Sequence, residues 1–323
     1  MNTHLDHGGA SGRLPHIGVL RFAGPEAASF LQGQLSNDTR RLSNGSPLLA
    51  AYSSPQGRVL ALLHLLPHSS GILALLPREI VLPTLERLRK FVLRAKVKIE
   101  DVSDEFSVIG QHGAQGLISG SLAVPDAAQG YAEQNGIGVG RVGAGSTRYW
   151  VLGEAADLAK HEGAMGTEQE RAVEHDWRLA DIRAGLPQIY AATSEMFVAQ
   201  MLNLDLIDGI SFTKGCFTGQ EIIARTQHLG RIKRRMFRVR LPKGTWAIGQ
   251  TVHLTDGRSG RLTELAPAGE QCEALAVLNI AGSTTEGVAG AATVGDGIDS
   301  ATTAGTLVDA TELPLPYPFT PTA

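Results

Sequence analysis

Ile17 to Phe22 is an apolar run interrupted only by Gly18 and Arg21, and it predicts a strand. Gly24-Pro25-Glu26 follows, with proline at the first helical position and an acid in the first turn. Those are start signals for a helix, which should run to about Leu35 and turn Phe30 and Leu31 inward. Ser36-Asn37-Asp38 then supplies turn chemistry. Leu48 to Tyr52 and Val59 to Leu66 are apolar runs joined by Ser53-Ser54-Pro55-Gln56-Gly57-Arg58, a hairpin signal, and Ile72 to Leu76 predicts a further strand. Val81, Leu85, Leu88 and Val92 recur as one stripe of an amphipathic helix, with Pro83 near its start, where a proline costs least. Ala95 to Ile99 alternates Val97 and Ile99 with Lys96 and Lys98, as a half-exposed strand does.

Phe106 to Ile109 and Tyr149 to Leu152 read as strands, while Gly110 to Ser146 is rich in small residues and has no clear assignment. Glu168 to Ala184 predicts a helix ended by Gly185 and Pro187. Beyond Arg231 the pattern turns to short strands: Phe237 to Leu241, Thr251 to Leu254, Leu262 to Leu265 and Ala274 to Leu278. Strands at that spacing without intervening helices predict a small β-barrel or sandwich. Gly282 to Gly305, dominated by Gly, Ala, Thr and Ser, reads as loosely ordered. The pattern as a whole is a mixed α+β body followed by an all-β domain, with no internal repeat.

The 323 residues suffice for two domains or one core with lobes. A net charge of −3 argues against a molecule-wide field that gathers nucleic acid, and leaves a local basic patch open. The two cysteines, Cys216 and Cys272, argue against a disulfide framework and fit a reducing compartment. They are too few for a self-contained four-thiolate iron–sulfur or zinc site. Met1 to Pro15 lacks the apolar core of a signal peptide, and no run of about 18 apolar residues occurs, so the expectation is a cytoplasmic protein with no membrane span.

Lys214-Gly215-Cys216-Phe217-Thr218-Gly219-Gln220-Glu221 lies between an expected strand, Gly209 to Phe212, and a helix from about Gln220. Two glycines in five residues imply a tight turn, and a thiol just ahead of a helix N-terminus is favoured as thiolate. Taken alone, Cys216 reads equally well as a buried structural cysteine. Together with Gly209-Ile210-Ser211-Phe212-Thr213, however, this stretch resembles the hallmark of the YgfZ branch of the aminomethyltransferase-like superfamily. Further matches are Leu31 to Asp38, Pro55-Gln56-Gly57-Arg58, Trp177 with Ile182 to Pro187, Phe197 to Leu204, and Leu313 to Tyr317.

The resemblance implies an α+β fold: a two-lobed folate-binding body (1–230) and a C-terminal β-barrel (231–323) around a central opening. It implies tetrahydrofolate, or a one-carbon-substituted folate, as cofactor. It also implies a role in assembling or repairing iron–sulfur client enzymes, with a link to tRNA modification. Cys216 becomes the reactive-thiol candidate, and Trp177, Arg183, Lys214, Gln220, Glu221 and Arg225 the folate-binding candidates.

Two departures matter. Relatives that transfer aminomethyl groups carry an aspartate after the first-hairpin turn, where this chain has only Val59-Leu60-Ala61-Leu62-Leu63. The family glutamate before Ala-Gly in the mid-chain helix is Arg183 here, and arginine donates hydrogen bonds but accepts none. A tryptophan of some relatives is replaced by Ile17. Trp177 could stack on a pterin, and without the family it reads as a core residue of an amphipathic helix. The acid-free run from Arg225 to Arg240 could meet a folate tail, a partner's acidic face or tRNA phosphates. Within it Arg225 and Arg231 are the functional candidates, and Arg238 and Arg240 read as the solvated side of a strand. The leading reading is a folate-dependent accessory factor. The alternatives are a tetrahydrofolate-dependent one-carbon transferase or demethylase, and a tRNA- or protein-binding module with a vestigial folate pocket.

Overall fold

The apolar runs become strands, and the longest becomes the most deeply buried. In a computed structural model, residues 11–113, 125, 130–143, 146–160, 167–228, 232–280 and 305–319 are described. The described residues begin with β1 (Ser11–Arg13), β2 (Ile17–Ala23), α1 (Ala27–Gln34), β3 (Leu48–Ser53), β4 (Val59–His68), β5 (Gly71–Pro77), α2 (Val81–Arg89) and β6 (Lys98–Asp101). The sheet order is β3-β4-β5-β2-β6. Val59 to Leu66, apolar except for His64, is buried at every position, as a strand is when both of its faces are covered.

Two boundaries differ from those predicted. α1 starts at Ala27 because Gly24, at φ +120°, turns the chain against the Lys96 carbonyl before the helix can begin. After α2 the chain makes turns, with Phe91 N–H donating to Leu88 O, Val92 to Arg89 O and Ala95 to Val92 O. With Lys96 N–H donating to Glu26 Oε2 and Val97 N–H to Ala95 O as well, the donors that a strand from Ala95 would need are occupied, and β6 starts only at Lys98.

Next come β7 (Phe106–His112), β8 (Tyr131–Gln134), β9 (Ile137–Arg141), β10 (Arg148–Glu154), α3 (Ala155–Leu158) and α4 (Thr167–Ala184). They form an antiparallel sheet ordered β1-β7-β10-β9-β8. β8 and β9 lie in the stretch left unassigned above. Asn135-Gly136 joins them, with φ of 53° and 75°, the left-handed pair that a two-residue hairpin turn demands. Ile109, Ile137, Val139, Tyr149, Val151 and Leu158 pack together on this sheet.

The remainder holds α5 (Gln220–His228), β11 (Arg234–Leu241), β12 (Thr251–Leu254), β13 (Ser259–Ala268), β14 (Gln271–Asn279), β15 (Thr306–Val308) and β16 (Thr311–Leu313). The strands make one six-stranded sheet, β15-β12-β13-β14-β11-β16, over a core that includes Phe237, Leu241, Val252, Leu262 and Leu278. β15 and β16 had no sequence signal, each being three residues long. The expected strand Gly209 to Phe212 does not form. Its backbone is tied instead to Ser36, through Gly209 O and Ser211 N–H. Of the stretch read as loosely ordered, all but Gly305 lies outside the described residues, as does Arg231.

Two compact units divide the chain. One comprises Met1–Gln32, Thr39–Leu49 and Leu63–Trp177, the other Gly33–Asp38, Ala50–Leu62 and Arg178–Ala323. Among the described residues no helix is long and apolar enough to cross a membrane.

Within the second unit, β13 carries a buried carboxyl. Glu264 sits at a register shift after Leu262, and the Tyr190 hydroxyl donates to its Oε2 at 2.5 Å. Burial pushes Glu264 up to about 7, against the opposing pull of Tyr190 and Arg178. A carboxyl raised in the folded state keeps its proton there after the unfolded chain has lost it. Stability therefore declines as pH rises between the ordinary carboxyl value and about 7, by on the order of 3 kcal/mol in total. Glu264→Gln keeps an acceptor for Tyr190 and removes the ionisation. Thermal melts at pH 5 and pH 8 should show the variant losing less stability across the interval than the parent. Equal losses would mean that Glu264 ionises freely in the fold.

Candidate functional site

The hallmark loop is held from below by a cation. Lys214 is 5 % exposed, and its Nζ donates to Leu35 O at 2.6 Å and Asn37 O at 2.9 Å, with the Phe217 ring 4.9 Å away. Lys214 was among the residues expected to face a folate. It turns inward instead, because a buried ammonium needs acceptors and the carbonyls at the end of α1 supply them.

The acceptor segment is itself fixed within the second unit. Ser36 Oγ donates to Gly209 O at 2.7 Å and accepts from Ala51 N–H at 2.8 Å, while Ser211 N–H donates to Ser36 O at 2.9 Å. Asn37 Nδ2 donates to Asp208 O at 2.6 Å, and Thr218 N–H reaches Gly33 O at 3.2 Å. Leu35-Ser36-Asn37-Asp38 is thus the seat of the loop, a role that its turn chemistry alone did not signal.

The other side of the loop rests on the first hairpin. Gly219 has φ +81°, and a Cβ there would lie 2.7 Å from Ser54 O and 3.1 Å from Gly57 Cα. Gly57, at φ +71°, packs against Ile222 of α5 just as closely. Only Gly219 carries the unusual backbone expected of the hallmark. Gly215 has open space around it and no left-handed φ. Arg58 continues the seam by donating from Nη1 to Met196 O at 3.0 Å.

On this base Cys216 stands exposed, four residues ahead of α5. Gln220 serves the loop, its Oε1 accepting from Phe217 N–H at 3.3 Å. Glu221 and Arg225 are exposed one helical turn apart on α5. Cys272 is half-buried, and burial pushes its thiol up. Two further polar atoms, Gln34 Oε1 and Ser53 Oγ, are buried without a hydrogen-bond partner among the described residues. The Leu35–Tyr52 bridge sets their residues opposite each other.

Trp177 and Arg183 do not join this group. Trp177 belongs to the first unit and is 1 % exposed. The Arg148 guanidinium lies 4.7 Å over its ring, and a Cβ on Gly110 would sit 2.4 Å from it. The indole therefore offers no open face to a pterin, and the core reading of this residue replaces the stacking one. Arg183 leaves α4 about 240° around from Trp177. Its Nη2 donates to Glu273 Oε1 at 3.0 Å, and Arg238 Nη2 donates to Glu273 Oε2 at 2.6 Å. Burial would raise the Glu273 carboxyl, but the two guanidinium groups outweigh it and hold it below its usual range. Arg183 thus answers a carboxylate of the C-terminal sheet. Arg238 is likewise an ion-pair partner rather than a solvated side chain, while Arg240 is exposed as expected. Arg235 forms a fork with Asp205 at 2.6 and 2.9 Å.

No family model matches the chain. It is 33 % identical over 229 residues to the tRNA-modifying protein YgfZ of Colwellia psychrerythraea, covering 69 % of each chain. It is also 33 % identical over 226 residues to that of Edwardsiella ictaluri, covering 68 % of each. Among solved structures it is similar to the glycine cleavage system aminomethyltransferase of Bartonella henselae, with a TM-score of 0.60 at 14 % identity. That match covers 84 % of this chain and 78 % of the other, and it shows a shared fold. With a hallmark loop built as described and identity sustained over more than two thirds of its relatives, this chain belongs to the YgfZ family, on an aminomethyltransferase-like fold.

Proposed function

We propose that this protein is a folate-binding accessory factor that supports assembly or repair of iron–sulfur enzymes, among them enzymes that modify tRNA. The observation that carries the reading is an exposed thiol, Cys216, on a loop held by a buried cation and a left-handed glycine. A loop so anchored presents its sulfur to a partner without losing its own shape. The relatives' description as tRNA-modifying proteins supports the link to that process. In this proposal the protein is cytoplasmic, residues 231–323 form a barrel domain, and the body (1–230) lines a central opening.

A reduced folate would supply a carrier for one-carbon units. The acceptors at the hallmark seat suit it: a pterin edge presents N–H donors, and Gln34 Oε1 and Ser53 Oγ are buried acceptors in need of donors. Arg225, exposed on α5, suits the carboxylates of a glutamate tail. Aminomethyl transfer fits poorly, because Val59 to Leu63, where the transferase acid would stand, is apolar and buried throughout.

Calorimetric titration with tetrahydrofolate under anaerobic conditions tests the cofactor. The parent should bind, and Ser53→Ala should bind about threefold to tenfold more weakly, the worth of one hydrogen bond. No heat from the parent, or equal affinity in the variant, would remove folate from that seat.

The thiol has its own test. Because Cys216 is exposed and Cys272 is half-buried with its thiol pushed up, an alkylating reagent near neutral pH should modify Cys216 first, read by peptide mass. Cys216→Ser should fold normally yet fail to restore iron–sulfur enzyme activity in cells lacking the native protein. Full rescue by the serine variant would make the sulfur structural.

A further inference from the structure

The segment between α2 and β6 takes no part in the hallmark loop, and it has an unusual surface. α2 buries Val81, Leu85 and Leu88 in the first unit. Its other side and the turns after it expose Arg87, Arg89, Lys90, Arg94, Lys96 and Lys98. Over residues 81–100 these cations face only two acids, Glu86 and Glu100, in a chain whose net charge is −3. Some are engaged: Arg89 Nη2 donates to Ile99 O at 2.9 Å, and Lys98 pairs with Glu100 at 2.6 Å. Lys90 and Arg94 make no ion pair among the described residues.

Between those two cations stand Phe91, 46 % exposed, and Leu93, 89 % exposed. Leu93 has φ +40°, a region that a bulky side chain resists. The strain gains no internal packing, since the side chain points to water. Backbone held in this way is drawn from the class of conformations that cluster at binding sites.

We propose that this turn binds RNA, with Lys90 and Arg94 meeting phosphates and Phe91 stacking on an unpaired base. The choice of RNA rests on the proposed link to tRNA modification. An aromatic ring bracketed by cations suits a base with phosphates on either side of it. An anionic membrane fits less well, because the apolar stripe of α2 is spent in the core and only single apolar side chains stand among the charges.

The test uses the full chain and fluorescently labelled, unmodified tRNA transcript, read by anisotropy over a range of salt. The parent should bind, with log K falling as salt rises. K90Q combined with R94Q should weaken binding at least tenfold and reduce the salt slope by roughly 0.7–0.9 for each lost phosphate contact. F91A should weaken binding several-fold and leave the slope unchanged. K243Q, at an exposed lysine of the second unit, should change nothing. Equal affinity of the double variant and the parent would overturn the inference. So would competition by polyglutamate as strong as that by unlabelled tRNA, which would make an acidic protein the partner, or binding to phosphatidylserine vesicles with none to tRNA. The tetrahydrofolate titration of the same samples keeps the two readings apart: folate binding without RNA binding sinks this inference alone.

Discussion

The buried ammonium of Lys214 is the interaction on which the rest of the hallmark site depends. An ammonium out of water is costly unless its donors are met, and here they reach the carbonyls of Leu35 and Asn37 across 179 and 177 residues of sequence. One side chain thereby fixes a late loop to the end of an early helix. With Lys214 turned inward, Cys216, two residues on, stays at the surface. Removing the cation would leave two carbonyls buried without their donor, and the loop would lose its seat together with its charge.

The second constraint is steric. Gly219 and Gly57 lie where the hallmark and the first hairpin touch, each with a left-handed φ and each with no room for a Cβ. The close approach brings Ser53, whose Oγ is buried without a partner among the described residues, against Gly219. Charge pairing then organises the C-terminal sheet around Glu273, which Arg183 and Arg238 keep ionised despite its burial. Arg183 thus finds its carboxylate partner in β14.

Much of this was legible in the sequence. The strand at Val59 to Leu66, the strand at Thr251 to Leu254 and the helix ended by Gly185 formed as read. The glycine spacing around Cys216 implied a tight turn ahead of α5, and the unusual backbone appears at Gly219. The β8–β9 hairpin was also within reach, since Asn135-Gly136 is a strong local turn signal that the small residues around it obscured. β15 and β16 were beyond reach, because three-residue strands have no periodicity and exist only by pairing with β12 and β11.

The sequence by itself determined most of the long elements and pointed to the family, because those depend on local periodicity, turn chemistry and a contiguous motif. Only the tertiary structure decided which polar groups meet. Trp177 has the composition of a stacking residue, yet Gly110 and Arg148, distant in sequence, fill the space around its ring. Lys214 is a cation beside a cysteine in sequence, yet it serves carbonyls at the end of α1. Arg183 could have faced a ligand, and Glu273 claimed it. A charge or a ring declares what it can do, and the neighbours that folding brings decide what it does.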